Sequence, residues 1–171
     1  MRACNKKKMK IIIVNNKDEV IGFKEREYLD NSKDIYRVSA LWIANTRGEV
    51  LLAKRALTKK QNPGKWGPAV AGTVEEGESY ESNILKEAEE EIGLKNIKPK
   101  KAIKEFVNGK HKHFTQWFFL KSDIKLNDLK INTEEVAEVK WFEMEEVLRL
   151  IRNNLTVAFT KELLADMENR T

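Results

Sequence analysis

The sequence has little cysteine and no long apolar run. Cys4 is its single cysteine, which excludes an internal disulfide and any cysteine metal cluster and favours a reducing compartment. No apolar segment approaches the roughly 20 residues of a membrane-spanning helix. Residues 11–14 are apolar and follow a lysine-rich start, but this run is too short for an export signal. We therefore expect a cytoplasmic protein with no membrane partner.

Charged residues are abundant but are not gathered into a binding motif. They make up 35% of the 171 residues, and the net charge is +5, with lysines spread through both halves. This balance can steer anionic substrates towards a site, but it predicts no specific nucleic-acid partner. Hydrophobic residues make up 41%, which suffices for one core. We expect a single domain over residues 1–171, either a monomer or a homodimer.

Alternating apolar residues and turn residues predict short strands followed by helices. The predicted strands are Lys10 to Val14, Val20 to Phe23, Tyr36 to Ile43, Val50 to Lys54, Ala69 to Val74, Pro99 to Val107, Phe114 to Leu120 and Ala137 to Phe142. The other segments are two helices at 143–152 and 157–167, irregular regions at 24–34 and 121–133, and a rigid loop rich in proline and glycine at 62–68. The chain would thus begin with a β-hairpin at about 10–24 and end in helices at about 143–168. Strands on both sides of one central helix predict an α/β (α+β) fold with a mixed β-sheet between helical layers.

The stretch from Gly72 to Leu94 carries the most informative pattern. Ser79 can cap the start of a helix, and Gly93 stands where a helix end favours a left-handed residue. At 100° per residue, one arc holds Ile84, Leu85, Ala88 and Ile92, which we expect in the core, and the adjoining arc holds Glu87, Glu90 and Glu91. Such neighbouring like charges repel by a few tenths of a kcal/mol per pair. A divalent cation such as Mg²⁺ would relieve this repulsion, and a solvated acidic face is the alternative.

The spacing of glycines and glutamates around this helix resembles the Nudix box. The matching positions are Gly72, Glu78, Glu87, Ala88, Glu90, Glu91, Gly93 and Leu94. Lys86 departs from the pattern, since the family usually has arginine there. Several further segments resemble the branch related to isopentenyl diphosphate isomerase, namely residues 20–22, 36–39, 51–56, 63–66 and 135–141. The resemblance implies an αβα sandwich that uses Mg²⁺, or Mn²⁺, for phosphoanhydride chemistry on a small-molecule diphosphate.

The resemblance also implies which residues bind metal and move protons. The metal ligands would be the carbonyl oxygen of Gly72 and the carboxylates of Glu87, Glu90 and Glu91. The general base would be a box glutamate, Glu90 or Glu91, or Glu135 on a later loop, with Glu134 and Glu138 as alternatives. All three later glutamates could equally be surface charges.

Four further residues have expected roles around the box. Glu78 and Lys86 would support it, although lysine lacks the planar fork of arginine and leaves the orientation of Glu90 or Glu91 open. Arg55 and Lys65 flank the rigid loop and could hold a diphosphate. Ordinary solvated cations are the alternative for both.

Three functions compete on this sequence. A hydrolase would cleave a nucleoside diphosphate linked to another group, or a related metabolite. An isomerase of the related branch would need a cysteine in the segment 67–71, which has none, and a histidine at Tyr36. Its later acidic pair would fall near His111 and His113, which we interpret as polar strand residues because no third zinc ligand is evident. A non-catalytic module that binds phosphorylated ligands would have no need of three crowded carboxylates.

Overall fold

A computed structural model describes residues 9–171 of the chain, so Cys4 lies outside the described residues. The elements in chain order are β1 (Lys10–Val14), β2 (Val20–Glu25), β3 (Ile35–Ala44), β4 (Val50–Arg55), β5 (Trp66–Pro68), β6 (Val70–Thr73), α1 (Tyr80–Ile92), β7 (Lys100–Asn108), β8 (Lys112–Lys121), β9 (Val136–Phe142), α2 (Met144–Arg152) and α3 (Lys161–Glu168). Every predicted strand is present, including the N-terminal hairpin. Single 3₁₀ turns at Arg26–Tyr28 and Leu126–Asp128 lie in the two regions predicted to be irregular.

Strand β3 is the centre of one mixed sheet. One of its edges pairs in parallel with β8, which in turn pairs with β7. Its other edge pairs with β1, then β6, then β4, and all three are antiparallel to it. β4 also carries β5 and β9. The chain therefore changes partner between β5, which lies on β4, and β6, which lies on β3, and it enters α1 directly after this change.

Helices cover both faces of the sheet. On one face α1 packs its apolar side chains on the strands, and this cluster includes Leu41, Ile43, Leu51, Val70, Ile84, Ala88, Ile92 and Phe118. On the other face α2 and α3 pack on a second cluster, which includes Trp42, Leu52, Phe142, Val147, Leu163 and Met167. The predicted α/β sandwich with a mixed sheet is thus confirmed. Within residues 9–171, none of the helices combines the length and the apolar character that crossing a membrane requires.

Local capping sets the bounds of α1, as predicted. The Ser79 side chain accepts a hydrogen bond from the backbone N–H of Ser82 at 3.1 Å, and Gly93 ends the helix with φ of 72°. The predicted core arc is wrong at Leu85, whose exposed fraction is 42%. Asn83 is fully buried instead. The buried arc is therefore rotated about the helix axis towards the side that carries the glutamates.

Two further boundaries differ from the prediction. The loop predicted at 62–68 contains the strand β5, because Trp66 and its neighbours pair with β4. α3 begins at Lys161 and not at residue 157. The reason is that Val157 donates its backbone N–H to the Trp66 carbonyl at 2.8 Å, while the Thr160 side chain caps the helix by accepting from the N–H of Leu163.

Gly93 also allows the chain after the second 3₁₀ turn to lie against the end of α1. A Cβ atom at Gly93 would lie 2.7 Å from the Cβ of Lys130, and alanine would also have to adopt the left-handed φ. We expect Gly93→Ala to lower the free energy of unfolding by about 2–4 kcal/mol, as measured by urea denaturation.

Gly48→Ala is the matched control, because Gly48 has φ of 80° but no atom within 4 Å of an added Cβ. It should lose only about 1 kcal/mol. Equal losses in the two variants would contradict the close approach of Lys130 to Gly93.

Candidate functional site

Gly72 and Glu87 are in direct contact where α1 crosses β6. Gly72 pairs with Ser39 on β3, and a Cβ atom at Gly72 would lie 2.3 Å from the Cγ and Cδ atoms of Glu87. Only glycine leaves room for the Glu87 side chain at this position. Burial raises the pKa of the Glu87 carboxyl above its ordinary value, and the charge of Glu90 adds to this rise although Lys86 opposes it.

Glu91 lies beside Glu87 on the same buried side of α1. Its Oε2 accepts a hydrogen bond from the backbone N–H of Ala71 at 3.3 Å. The pKa of Glu91 is raised to about 8, first by burial and also by the charges of Glu87 and Glu135, although the Ala71 N–H and Arg55 oppose the rise. The structure therefore brings four of the predicted residues into one electrostatic group, namely Glu87, Glu91, Glu135 and Arg55.

Glu135 reaches this group through backbone hydrogen bonds that fix the segment 130–135 on the end of α1. Lys130 N–H donates to the Ile92 carbonyl at 3.0 Å, and Asn132 N–H donates to the Glu91 carbonyl at 2.8 Å. The Glu135 carboxylate forms an ion pair with Lys59, in the loop between β4 and β5. The two alternatives, Glu134 and Glu138, are exposed. The geometry thus favours Glu135 among the three.

Lys86 contacts three carboxylates, and its pairing with Glu78 is one that the sequence allowed. Its Nζ lies 2.7 Å from Glu78 Oε1, 3.1 Å from Glu75 Oε2 and 3.5 Å from Glu87 Oε1. These contacts orient Glu78 and Glu87 rather than Glu90 or Glu91. Burial opposes ionisation of Glu78, but hydrogen bonds from Lys86, from the Glu75 N–H and from Asn83 lower its pKa overall.

The two cations predicted to hold a diphosphate are placed differently. Arg55 lies near Glu91 and donates from Nε to the Gln61 carbonyl at 2.9 Å. Lys65 Nζ instead donates to Asn154 Oδ1 at 2.9 Å, in the turn that follows α2. The structure therefore joins Arg55, but not Lys65, to the carboxylates. Glu90 is exposed on α1 and close enough to influence Glu87.

Sequence reasoning missed residues around the carboxylates, including Ser39, Lys59, Glu75 and Asn83. Asn83 could have been noticed, because a polar residue four positions before Glu87 shares its helix side. Lys59 gave no local signal, since its partner is 76 residues away. His113 stacks on Tyr36 with 5.4 Å between ring centroids, and burial lowers its pKa, which agrees with a polar strand residue.

The donor set suits a hard divalent cation. Carboxylates and a backbone carbonyl are the ligands that Mg²⁺ prefers, and because the pKa values of Glu87 and Glu91 are raised, a cation beside them would favour their ionised forms. Within residues 9–171, no three acidic, histidine or cysteine side chains already converge as a complete metal site.

This chain is similar to known proteins over most of its length. The NUDIX domain model matches residues 34–165. The uncharacterized Nudix hydrolase lin0387 of Listeria innocua is 30% identical over 121 residues, which are 71% of this chain and 70% of that protein. The isopentenyl-diphosphate Delta-isomerase of an Enterobacter species is 26% identical over 149 residues, 82% of this chain and 80% of that enzyme. The crystal structure of DR0079 from Deinococcus radiodurans has the same fold, with a TM-score of 0.76 at 22% identity over 94% of this chain and 98% of that one.

The pKa of Glu91 predicts how stability depends on pH in the absence of metal. Because the folded-state pKa of about 8 exceeds the ordinary value of 4.5, the folded protein binds this proton more tightly than the unfolded chain. The free energy of unfolding should therefore fall as pH rises between these values. Glu91→Gln removes this loss. We expect the free energy of unfolding of this variant, relative to that of the parent, to rise by about 1–4 kcal/mol between about pH 5 and about pH 9.

Urea denaturation in EDTA at several pH values measures this difference. Glu89→Gln is the control, because Glu89 is exposed on the same helix and pairs with Lys95. It should follow the parent at every pH. Parallel pH curves for Glu91→Gln and the parent would show that Glu91 ionises normally.

Proposed function

The chain belongs to the Nudix family, whose hydrolases act on pyrophosphate bonds, and on that premise we propose that this enzyme is a Mg²⁺-dependent hydrolase. Its substrate would be a nucleoside diphosphate linked to another group, or a related diphosphate metabolite. The observation that carries the proposal is the half-buried pair of Glu87 and Glu91 beside Gly72, with Glu135 and Arg55 next to it. We propose that residues 1–171 act as one catalytic domain in the cytoplasm, as the single cysteine favours.

The residues that would hold Mg²⁺, or Mn²⁺ in its place, are Gly72 through its carbonyl oxygen and Glu87, Glu90 and Glu91. When bound, the ion polarises a phosphoryl oxygen and lowers the pKa of a coordinated water. Ala71 contributes by holding one oxygen of Glu91 through its backbone N–H. The low accessibility of Glu87 and Glu91 would strengthen their interaction with a bound cation.

Proton removal from the attacking water is assigned to Glu135, with Glu90 and Glu91 as the alternatives within the box. Glu135 lies close enough to Glu91 to raise its pKa, and its backbone is fixed on the end of α1. Arg55, whose charge acts on Glu91, would bind the phosphate oxygens as charge develops on them. Lys65 would first have to leave Asn154 to do so.

The isomerase alternative has support from sequence similarity but not from the residues in place. Isomerisation moves a proton across an allylic framework, and the resemblance would require a cysteine in residues 67–71. Gly67 and Ala69 of that segment are buried, and no thiol is present there. Hydrolysis needs only an oriented water, a base and cations. A non-catalytic binding module is less well supported. Burying Glu87 and Glu91 together costs free energy, and a protein that only binds a phosphorylated ligand does not need this pair of carboxylates.

Turnover in ¹⁸O-labelled water tests the proposal. Nucleoside diphosphate sugars, dinucleotides, nucleotides and prenyl diphosphates would be screened with Mg²⁺, and we expect label in a phosphate product of at least one class. Glu91→Gln should lower turnover at least about 100-fold, because it removes a carboxylate needed in the transition state. Glu89→Gln, altered at an exposed position of the same helix, should keep parental turnover.

Two outcomes would contradict the hydrolase. One is conversion of isopentenyl to dimethylallyl diphosphate without phosphate release. The other is loss of activity in Cys4→Ser, which should leave turnover unchanged if no thiol takes part.

A further inference from the structure

Asn83 is a polar residue near the N-terminus of α1 whose side chain is fully buried. Asparagine is a weak helix former, and a buried amide is tolerated only when its hydrogen bonds are made. Here its Oδ1 accepts from the hydroxyl of Ser39, which is itself fully buried on β3. The two hydrogens of its Nδ2 face three acceptors, the Thr73 carbonyl at 3.1 Å, Glu78 Oε2 at 2.9 Å and Glu87 Oε1 at 3.3 Å, so the three share them. Asn83 thus joins the sheet, the box loop and two box glutamates.

Asn83 and Lys86 share the same two acceptors. Glu78 receives Lys86 on Oε1 and Asn83 on Oε2, while Glu87 receives both on Oε1. Lysine is a point charge with three hydrogens, and an arginine would present a planar fork that can bind two carboxylates at once. Lys86 also contacts Glu75, so its contact with Glu87, at 3.5 Å, is the longest of the three. The amide of Asn83 therefore supplies a second donor to Glu87, whose contact with Lys86 is long.

We propose that Asn83, held by Ser39, is a positioning residue that orients Glu87 towards Gly72 together with Lys86. The proposal rests on the proposed function, since Glu87 is there a metal ligand. Ser39 pairs with Gly72 across β3 and β6, so the hydroxyl that holds Asn83 comes from the residue opposite the glycine against which Glu87 lies. Two neighbouring strands therefore fix the position of Glu87. Ser39 on β3 acts through Asn83, and Gly72 on β6 lies directly against the Glu87 side chain.

A purely structural role for Asn83 would have different consequences. It would make Asn83→Ala less stable, because Ser39 and Thr73 would lose their partner, but it would leave metal affinity unchanged. A positioning role predicts weaker metal binding that an arginine at 86 restores, because the guanidinium can reach both Glu78 and Glu87. The rescue separates the two roles, since arginine at 86 cannot satisfy Ser39.

The experiment measures Mn²⁺ affinity, by the electron paramagnetic resonance signal of free Mn²⁺, and turnover in parallel. We expect Asn83→Ala to weaken Mn²⁺ binding about tenfold and to lower kcat by about tenfold or more, with a smaller change in KM. Adding Lys86→Arg to Asn83→Ala should restore both values to within about threefold of the parent.

Asn45→Ala is the matched control, because Asn45 is a buried amide in the turn between β3 and β4, where its Oδ1 accepts from the backbone N–H groups of Arg47 and Glu49, both at 2.9 Å. It should lower the melting temperature about as much as Asn83→Ala without changing Mn²⁺ affinity. If Asn83→Ala does not fold, Ser39→Ala/Asn83→Ala removes both members of the buried pair and takes its place in every comparison.

The outcomes separate this proposal from the proposed function. Weak Mn²⁺ binding in Asn83→Ala with rescue by Lys86→Arg supports positioning. Parental Mn²⁺ affinity in the Asn83 variants, or weakening that Lys86→Arg does not relieve, overturns the positioning role and leaves the metal site intact. A parent protein that binds no Mn²⁺ overturns the proposed metal site and the positioning role with it.

Discussion

Burial of the Glu87 and Glu91 carboxylates beside each other is the constraint on which the rest of the site depends. Burial alone raises the pKa of both groups, and neighbouring carboxylates add to the effect. The chain offers partial compensation through the Ala71 N–H on Glu91 and through Lys86 on Glu87. This compensation is incomplete, because both pKa values stay raised. The divalent cation that we propose would complete it.

The fold creates this constraint through one crossing of the chain. The chain pairs with β4 as β5 and then with β3 as β6. It continues into α1, which packs across these strands. Gly72 stands at the contact and lets the Glu87 side chain lie against the backbone of β6. The end of α1 then receives the segment 130–135, which brings Glu135 to Glu91. Three separate parts of the sequence therefore meet around one helix.

Local signals in the sequence were sufficient for the strands and for α1, because alternation, caps and turn residues act within a few positions. Ser79 and Gly93 are examples, and both perform the predicted capping. The prediction that Leu85 is buried was wrong, because the packing of α1 on β6 rotates the buried side of the helix towards the glutamates, which a helical wheel cannot reveal. The predictions for β5 and for the start of α3 were wrong for a related reason. Each depends on pairing with a distant segment, as Trp66 does with Leu155 and Val157.

The site was predictable as a set of residue types but not as a set of contacts. The spacing of the box glutamates predicted that they share one side of α1, and that side is where Glu87 and Glu91 meet Gly72 and Ala71. The contacts of Lys86 with Glu75 and Glu78 and the ion pair of Lys59 with Glu135 depend on loop paths. A loop path can also separate a predicted residue from the site. Lys65 was expected to hold a diphosphate, but its side chain binds Asn154 instead.

The most direct test of the metal site is anomalous diffraction from crystals of the full chain soaked in Mn²⁺. A Mn²⁺ peak bounded by the carboxylates of Glu87 and Glu91 and by the carbonyl oxygen of Gly72 is the result that the burial of this pair predicts. Ordered Mn²⁺ at other positions only, with Glu87 and Glu91 unchanged at saturating Mn²⁺, would contradict it.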